Sequence, residues 1–238
     1  GQAVASPLIE IKDPATDAVL KTAFPIDGSH FFSLEPATYK VVVSKSGYSQ
    51  ERTYGTDEIA QPERPHLIVL EGELTETSFS IDRVSSLNVQ ARARQGAGYH
   101  VIHNVTFNLR GEKIIGLDAQ ENTIYKYSQN HTTNGAGSVG ISDLEWDSYH
   151  FSVIAPALNL SEIESPLGAT TTQPIALAPN ANLDVRLILS SENSLLVTVQ
   201  NLETSEPVFS AAVRLSNGVL GYDTTQYTDE AGQTYFIP

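Results

Sequence analysis

The segment Thr22–Tyr48 reads TAFPIDGSHFFSLEPATYKVVVSKSGY, and its order of residue types recurs twice further along the chain. Thr133–Val153 reads TNGAGSVGISDLEWDSYHFSV, and Thr228–Phe236 reads TDEAGQTYF. We call this repeated segment the cassette. Each copy begins as a polar turn with glycine and continues into strand-like residues. Because repeats reveal architecture before any local motif does, the cassette predicts a series of small β-domains instead of one large catalytic fold.

The residue types of the cassette have structural roles that can be argued directly. Gly28 and Gly137 would supply the positive φ of a tight turn, and Asp27 or Asn134 can bond its own backbone two residues further on. Tyr39 and Tyr149 are placed like the corner tyrosine of immunoglobulin-like sandwiches, where a buried ring donates its hydroxyl to the backbone. We therefore expect the cassette to shape the fold and not to bind a ligand.

Strand periodicity dominates the rest of the chain. Short apolar runs, most of them alternating with polar residues and bounded by turn-forming residues, predict half-buried antiparallel strands. The runs are Leu8–Ile11, Tyr39–Val43, Leu67–Leu70, Leu87–Val89, Val105–Leu109, Phe151–Ile154, Leu183–Leu189, Leu195–Val199 and Ala211–Leu215. The best helix candidate, Leu160–Glu164, is too short before Pro166. We predict an all-β fold of tandem Greek-key, Ig-like or transthyretin-like β-sandwich domains.

Domain boundaries are expected where the closing strand of one cassette meets the opening strand of the next. This places one β-sandwich in residues 1–83, a second in residues 84–190 and an incomplete third in residues 191–238. The third has only about 48 residues, so its apolar face and strand edges would be open. We expect its remaining strands to come from later in the chain or from a neighbouring subunit by strand addition.

Composition excludes several classes of function. The chain has 14 Lys and Arg against 28 Asp and Glu, a net charge of −14, which argues against nucleic acid and anionic membrane surfaces as partners. It has no cysteine, so disulfides, thiolate zinc sites and a cysteine nucleophile are impossible. No apolar run approaches the roughly 18 residues of a membrane span. The chain begins at Gly1 and lacks methionine, so we expect a processed product.

The acidic residues Asp143, Glu145 and Asp147 alternate. If this stretch is extended, three carboxylates share one face, an arrangement that suits a hard cation such as calcium, with Asp118 and Glu121 as further ligands. The alternative is a solvated loop between strands. No cofactor is expected from the sequence, and calcium is the one candidate that these residues offer.

Other chemistry has weaker signals. His100 and His103 form an H-x-x-H pair, but a third zinc ligand and the glutamate of a metalloprotease motif are missing. No G-x-S-x-G nucleophile elbow occurs, and the glycines are accounted for by turns. We therefore predict that the protein is not an enzyme.

Aromatic residues offer a binding alternative. Trp146, Tyr125 and Tyr127, together with Tyr99, would suit a platform on which a carbohydrate stacks. Aromatic residues on strands also serve as core or cross-strand pairs, and that interpretation stays open.

The cassette resembles the carboxypeptidase regulatory-like repeat, a transthyretin-like Greek-key sandwich. That family's pattern is a threonine, a D-x-x-G-type turn, an aromatic strand, a Leu-Pro-Gly-x-Tyr corner and a closing Gly-Tyr. Here Ala37 stands where the family prefers glycine, and Leu144–Tyr149 lacks both Pro and Gly. Val197–Leu215 resembles the family's opening hairpin. Together the resemblances cover about half of the chain, and starch-binding-like domains share the architecture.

The related collagen-adhesin B-type repeats carry a Lys-Asn isopeptide bond, whose catalytic glutamate follows the corner tyrosine. The corresponding runs here, Lys40–Val43 and His150–Val153, have no carboxylate, so the resemblance implies no such cross-link in either domain.

The resemblance implies a non-enzymatic extracellular structural protein of the cell surface. Tandem sandwiches would form a stalk or a pilus-like filament, with other protein subunits or further copies of the chain as partners. The alternative is an adhesin, or a carbohydrate- or protein-binding accessory module of a larger secreted protein.

Overall fold

The computed structural model describes residues 3–95, 98–155, 158–191, 193–219 and 222–236. These residues form strands, turns and loops arranged in several sheets, which confirms the predicted all-β class and the β-sandwich architecture. Within these ranges no helix has the length and apolarity that a membrane crossing requires.

The first unit, residues 3–83, contains one five-stranded antiparallel sheet. Its order is β2-β1-β3-β4, with β6 also pairing with β3. One face of the sheet contributes Ile11, Tyr39, Val41 and Val43 to a small apolar cluster, and Ile81 packs against them. The strands are β1 (Leu8–Lys12), β2 (Val19–Ala23), β3 (Ala37–Ser44), β4 (Glu51–Arg52), β5 (Gln61–Pro62) and β6 (Leu67–Val69).

The second unit, residues 84–190, is a two-sheet sandwich. Its strands are β7 (Ser85–Gln95), β8 (Gly98–Val101), β9 (Thr106–Gly111), β10 (Ile114–Leu117), β11 (Thr123–Tyr125), β12 (Ser128–Thr132), β13 (Ser138–Leu144), β14 (Asp147–Val153), β15 (Asn159–Glu164), β16 (Thr170–Thr171), β17 (Ile175–Leu177) and β18 (Asn182–Ser190). One sheet has the order β12-β9-β14-β17 and the other β13-β7-β18-β15-β16, with β8 on β7. Val89, Phe107, Leu109, Val185 and Leu187 are completely buried between them.

One pairing departs from the predicted antiparallel strands. The opening strand β7 and the closing strand β18 run parallel, in a register that joins Leu87 to Leu183 and Ala93 to Leu189. Parallel neighbours need a long crossover connection, and here the whole intervening unit provides it. A local alternation pattern cannot reveal the direction of a partner strand that lies about a hundred residues away.

The third unit consists of two two-stranded antiparallel sheets, β19–β22 and β20–β21. They repeat the pairings β7–β13 and β9–β12 of the second unit. The strands are β19 (Leu195–Thr198), β20 (Ala212–Asn217), β21 (Tyr222–Tyr227) and β22 (Gln233–Phe236).

The second and third copies of the cassette form the same turn. Asn134 Oδ1 accepts the backbone N–H groups two and four positions further on, and Asp229 Oδ1 does the same. Gly137 and Gly232 take the left-handed conformation, with φ of 63° and 71°. The roles predicted for Asn134 and Gly137 are confirmed, and so are those of the first copy, where Gly28 has φ 80° and Asp27 Oδ1 accepts the Ser29 N–H at 3.1 Å.

The first and second copies share the tyrosine corner. Tyr39 donates its hydroxyl to the carbonyl of Glu35, and Tyr149 to that of Glu145, both over 2.8 Å. The threonines differ, because Thr133 is buried, and its Oγ1 accepts the Val105 N–H at 2.9 Å, whereas Thr22 lies exposed in β2. The first cassette therefore matches the second at its turn glycine and its tyrosine corner, but not at its threonine.

Candidate functional site

A small sheet crosses from the first unit to the second. Strand β5 of the first unit pairs antiparallel with β10 of the second, which in turn pairs with β11. The N–H of Glu63 also donates to the carbonyl of Ile115 at 3.0 Å. Backbone hydrogen bonds thus connect the two units at a point distant in sequence from their direct connection.

Gly116 permits this close approach. A Cβ at this position would lie 2.4 Å from the carbonyl oxygen of Gln61 and 2.6 Å from the side chain of Ile59. Any other residue would push β5 away from β10, because real Cβ contacts are never so short.

Backbone hydrogen bonds also hold the segment that connects the two units directly. Ser49 N–H donates to the carbonyl of Asp82 at 2.8 Å, and Val84 N–H donates to that of Gly47 at 3.1 Å. The guanidinium of Arg83 lies over the ring of Tyr48, 5.6 Å from its centroid. The end of the first unit is therefore held against residues 47–49 up to the point where the second unit begins.

Lys126 lies between acidic residues of both units. Its Nζ forms an ion pair with Glu51 of the first unit, and a second one at 2.7 Å with Glu145 of the second unit. Glu145 is also 3.1 Å from Lys113 Nζ. The side chains of Lys126 and Glu51 are each 18% exposed and that of Glu145 13%, so the group is largely withdrawn from solvent. We call Glu51, Lys126, Glu145 and Lys113 the junction cluster.

The electrostatics of the cluster favour charged Lys126. Burial lowers the pKa of this amine, but hydrogen bonds to Glu145 and Glu51 outweigh burial, so the pKa lies above its ordinary value of 10.5. The lysine therefore stays protonated at neutral pH, where it offsets two carboxylates. It is unsuited to act as a nucleophile or general base.

The three predicted calcium ligands do not share one face. The stretch is not extended, because β13 ends at Leu144, with Asp143 in the left-handed region at φ 58°, and β14 starts at Asp147. Glu145 faces two lysines, and Asp147 accepts the backbone N–H of Lys113 at 3.1 Å. Asp118 and Glu121 lie in a separate turn, where Asp118 accepts two backbone N–H groups.

Among the residues that the structure describes, no three His, Asp or Glu are grouped to hold a metal ion. The calcium site therefore stays a sequence-based prediction to which this geometry adds no support. His100 and His103 likewise have no third ligand within that part of the chain. The ring of His100 instead contacts Tyr235 of the third unit, with 5.4 Å between centroids.

The predicted aromatic residues each have a partner of their own. Lys113 Nζ lies 3.8 Å from the ring centroid of Trp146, and the guanidinium of Arg110 lies 4.0 Å from that of Tyr125. Tyr127 bonds His131 Nε2 through its hydroxyl at 2.8 Å. Trp146 is the most accessible of these rings, 42% exposed, at a shallow depression of about 620 Å³ whose walls include Leu177.

A second buried polar group lies on the outer face of the β7–β18 sheet. Glu164 is 2% exposed and accepts hydrogen bonds from the Tyr99 hydroxyl at 2.5 Å, Arg186 at 2.7 Å and the Gly168 N–H at 3.0 Å. Burial raises its pKa, but these donors and the charge of Arg186 outweigh burial, so the pKa lies below 4.5. An ionised, fully bonded carboxylate serves structure instead of proton transfer.

Sequence reasoning singled out Glu145 and Trp146 but missed Lys126, Lys113 and Glu51, which give them their environment. No motif marks these three residues. The sequence draws attention to Lys126 only through its position between two tyrosines in a chain with few basic residues. That position does not indicate which carboxylates it pairs with.

Comparisons with known proteins show distant structural similarity. No protein family profile matches the chain, and no curated protein matches it. Among solved structures it is similar to the Bacillus anthracis TIE protein, at 13% identity and a TM-score of 0.32, over 99% of this chain and 40% of that one. The chain thus spans about two fifths of that protein's length.

Two further similar structures are pilins. A minor pilin of the Gram-positive pathogen Streptococcus agalactiae shares 10% identity at a TM-score of 0.35, over 81% of this chain and 86% of that one. A streptococcal ancillary pilin shares 10% identity at a TM-score of 0.30, over 84% and 63%. Scores this low bear on neither activity nor partners, and membership of the carboxypeptidase regulatory-like family is not shown.

Proposed function

We propose that the protein is a non-enzymatic structural protein of the cell surface, in which β-sandwich units bounded at residues 1–83, 84–190 and 191–238 follow one another as part of a stalk or pilus-like filament. The observation that carries the proposal is the joint between the first two units. There a shared sheet, β5-β10-β11, and the junction cluster hold the units together.

Such a joint suits a load-bearing or spacing element. Domains of one chain move relative to each other unless their interface is extensive. Here rotation would break backbone hydrogen bonds between β5 and β10, and it would separate Glu51 from Lys126 in a poorly hydrated site. The two units should therefore behave as one stiff rod.

Spin-label distances test this stiffness directly. The chain has no cysteine, so Thr22→Cys and Ser190→Cys provide one exposed label in each unit. We expect a narrow distance distribution that broadens when Lys126→Ala is added. Lys40→Ala is the matched control, because Lys40 pairs with Asp17 inside the first unit. A broad distribution in the parent chain would contradict the stiff joint.

The proposal includes strand addition between subunits at the third unit. In the second unit β7 pairs with β18 as well as with β13, and β9 pairs with β14 as well as with β12. In the third unit β19 pairs with β22 and β20 with β21, and among the described residues neither has a second neighbouring strand. Leu195 and Leu196 are each 44% exposed. We infer that further strands pair with β19 and β20, and that a neighbouring subunit can supply them where later residues of the chain do not. A longer version of the chain whose third unit closes within one molecule would overturn this part.

Glycan binding is the second candidate function, and the exposure of Trp146 beside a depression favours it. A glycan array with the parent chain and Trp146→Ala decides the matter. Binding that disappears in the variant would support an adhesin. Equal and negligible signals from both would rule it out.

A further inference from the structure

The turn of the second cassette copy contains two glycines, and the backbone requires only one of them. Gly137 has φ 63°, and a Cβ there would lie 2.6 Å from the carbonyl oxygen of Ile102. Gly135 lies outside the left-handed region, and a Cβ there would meet no atom within 4 Å. In the same turn of the third copy, Glu230 occupies the position of Gly135. The turn therefore needs no glycine at position 135.

Gly135 directly follows Asn134, and this pair of residues has a chemistry of its own. The main-chain nitrogen after an asparagine can attack the carbon of the side-chain amide, and a glycine has no Cβ to hinder it. Both residues are exposed to water. Within the described ranges neither the Gly135 N–H nor Asn134 Nδ2 has a hydrogen-bond partner. The attacking nitrogen and the leaving nitrogen are thus both free.

The carbonyl oxygen of this amide is held by several donors. Asn134 Oδ1 accepts the N–H groups of Ala136 at 2.8 Å and of Ser138 at 3.2 Å. The hydroxyl of Ser138 donates to the same oxygen at 3.4 Å. Donors of this kind stabilise the negative charge that develops on a carbonyl oxygen when its carbon is attacked. The turn therefore polarises the amide carbon that the Gly135 nitrogen can reach.

Arg92 places a cation in the same turn. Its Nη1 donates to the carbonyls of Gly137 at 2.9 Å and of Ala136 at 3.5 Å. The residues that the structure describes provide this guanidinium with no carboxylate partner. Its positive charge favours an anionic intermediate in the turn, and it would favour a carboxylate at position 134 as well.

The third copy shows that a carboxylate fits this turn. Asp229 stands at the position of Asn134, and its Oδ1 accepts two backbone N–H groups, each at 2.9 Å. The N–H of Asp229 donates to the carbonyl of Gln233 at 2.9 Å, and the N–H of Asn134 likewise donates to the carbonyl four residues further on. An aspartate at position 134 would therefore keep the turn.

We propose that Asn134 modifies itself in the folded protein, losing its side-chain amide nitrogen to become an aspartate. Water removes the proton of the Gly135 N–H, and this nitrogen then forms a bond to Cγ of Asn134. The bond from Cγ to Nδ2 breaks, Nδ2 takes a proton from water and leaves as ammonia, and a five-membered succinimide ring remains. A water molecule then adds to Cγ, breaks the ring and restores the Gly135 N–H. In sum, one water is consumed and one ammonia is released.

The modification changes the charge of the turn. The new carboxylate adds one negative charge in the turn that Arg92 contacts, so the guanidinium gains an ionic partner. All three cassette copies then have an acidic residue at this turn, because Asp27 and Asp229 provide it in the other two. This inference does not depend on the proposed stalk or filament.

Mass spectrometry of the folded full chain tests the proposal. In mildly alkaline buffer, the peptide that contains Asn134 should gain about 1 Da with time. The rate should rise with pH, because the Gly135 nitrogen must lose its proton before it attacks. Gly135→Ala should slow the reaction about 10-fold or more, since a Cβ hinders the attack while the open space around it preserves the turn.

Ser138→Ala separates the effect of the turn from that of the Asn-Gly pair. Loss of one long hydrogen bond to Oδ1 should slow the reaction about 3-fold in the folded chain. In urea, where the turn is absent, the same variant should react at the rate of the parent chain. Ser142→Ala is the matched control and should leave the rate unchanged, because the Ser142 hydroxyl bonds Asp143 outside the turn.

Two results would overturn the proposal. One is a reaction at Asn134 that is about 10-fold or more slower in the folded chain than in urea, which would show that the turn protects the amide. The other is a rate in Gly135→Ala equal to that of the parent chain, which would exclude attack by this main-chain nitrogen.

Urea unfolding of the second unit provides a further readout. Asn134→Asp reproduces the product, and it should raise the urea midpoint because the new carboxylate pairs with Arg92. In an Arg92→Gln background the same substitution should bring no such rise, as a double-mutant cycle measures. An equal change of midpoint in both backgrounds would contradict the pairing with Arg92.

Discussion

The first and second units contain the same sheet and the same tyrosine corner, yet one has a regular second sheet and the other an irregular layer of chain. The second unit buries Val89 and Leu187 completely between two sheets. In the first unit the corresponding layer packs Phe79 and Ile81 without strand pairing. A repeated sequence therefore fixes one half of a sandwich, and the other half depends on strands that meet from distant parts of the chain.

In both units a side chain also completes the hydrogen bonds of the sheet that the two units have in common. Thr53 bonds the N–H of Val41 through Oγ1 and its carbonyl through its own N–H. Gln173 bonds both backbone groups of Phe151 through its side-chain amide, at 2.5 and 3.1 Å. Each residue satisfies backbone groups where a neighbouring strand is short. The difference between the units lies in their second layers.

The largest effect is expected for core truncation. Leu187→Ala should destabilise the second unit by about 3 to 4 kcal/mol, because its closed sandwich cannot collapse around the cavity. Ile81→Ala in the first unit should cost less, about 2 kcal/mol, since an unpaired layer can relax. Urea unfolding followed by hydrogen exchange in each unit measures both. Equal losses would mean that the first unit is as tightly closed as the second.

The joint gives the next largest effect. Lys126→Ala should cost about 2 kcal/mol and separate the unfolding of the two units, because Glu51 and Glu145 lose their shared cation in a poorly hydrated site. Calorimetry should then show two transitions in place of one. The control Lys40→Ala should cost less than about 1 kcal/mol, because its partner Asp17 is 58% exposed and stays hydrated. One unchanged transition in Lys126→Ala would show that the strand pairing alone couples the units.

The tyrosine corner should respond alike in both units. Tyr149→Phe and Tyr39→Phe each remove one hydroxyl bond to a carbonyl, and each should cost about 1 kcal/mol. Denaturant midpoints of the two single variants measure the loss. A cost in one unit alone would contradict the view that the corner is the shared part of the fold.

The smallest effect is the pH dependence that Glu164 contributes to the second unit. The pKa of Glu164 is lowered in the folded chain, so its contribution to stability is present above 4.5 and is lost as the pH falls through the folded value. Thermal unfolding at about three pH values between about pH 3 and pH 6 measures this loss of stability, with Glu164→Gln as the reference. The same acid sensitivity in that variant would exclude Glu164 as the cause.

Much of the fold was predictable from alternation and turn residues. The runs Leu8–Ile11, Tyr39–Val43 and Leu183–Leu189 coincide with β1, β3 and β18, and the tyrosine corners were identified correctly. Short strands such as β2 and β16 were missed, because their residues are polar or largely exposed and show no core-facing alternation.

The site was predictable only in part. Glu145 and Trp146 attracted attention as an acid and an aromatic residue, but the structure surrounds them with Lys126 and Lys113. The alternating spacing places Asp143, Glu145 and Asp147 on one face only in an extended chain. The chain turns between β13 and β14, so the three carboxylates do not share a face. Local spacing carries no information about a turn that tertiary packing imposes.

The sequence by itself determined the all-β class, the glycine turns and the tyrosine corners, because these depend on backbone conformation and on residues a few positions apart. Tertiary structure alone decided the parallel partnership of β7 and β18, the crossing sheet β5-β10-β11 and the cation shared by Glu51 and Glu145. Each of these features joins residues far apart in the chain, and no periodicity within either partner specifies the other.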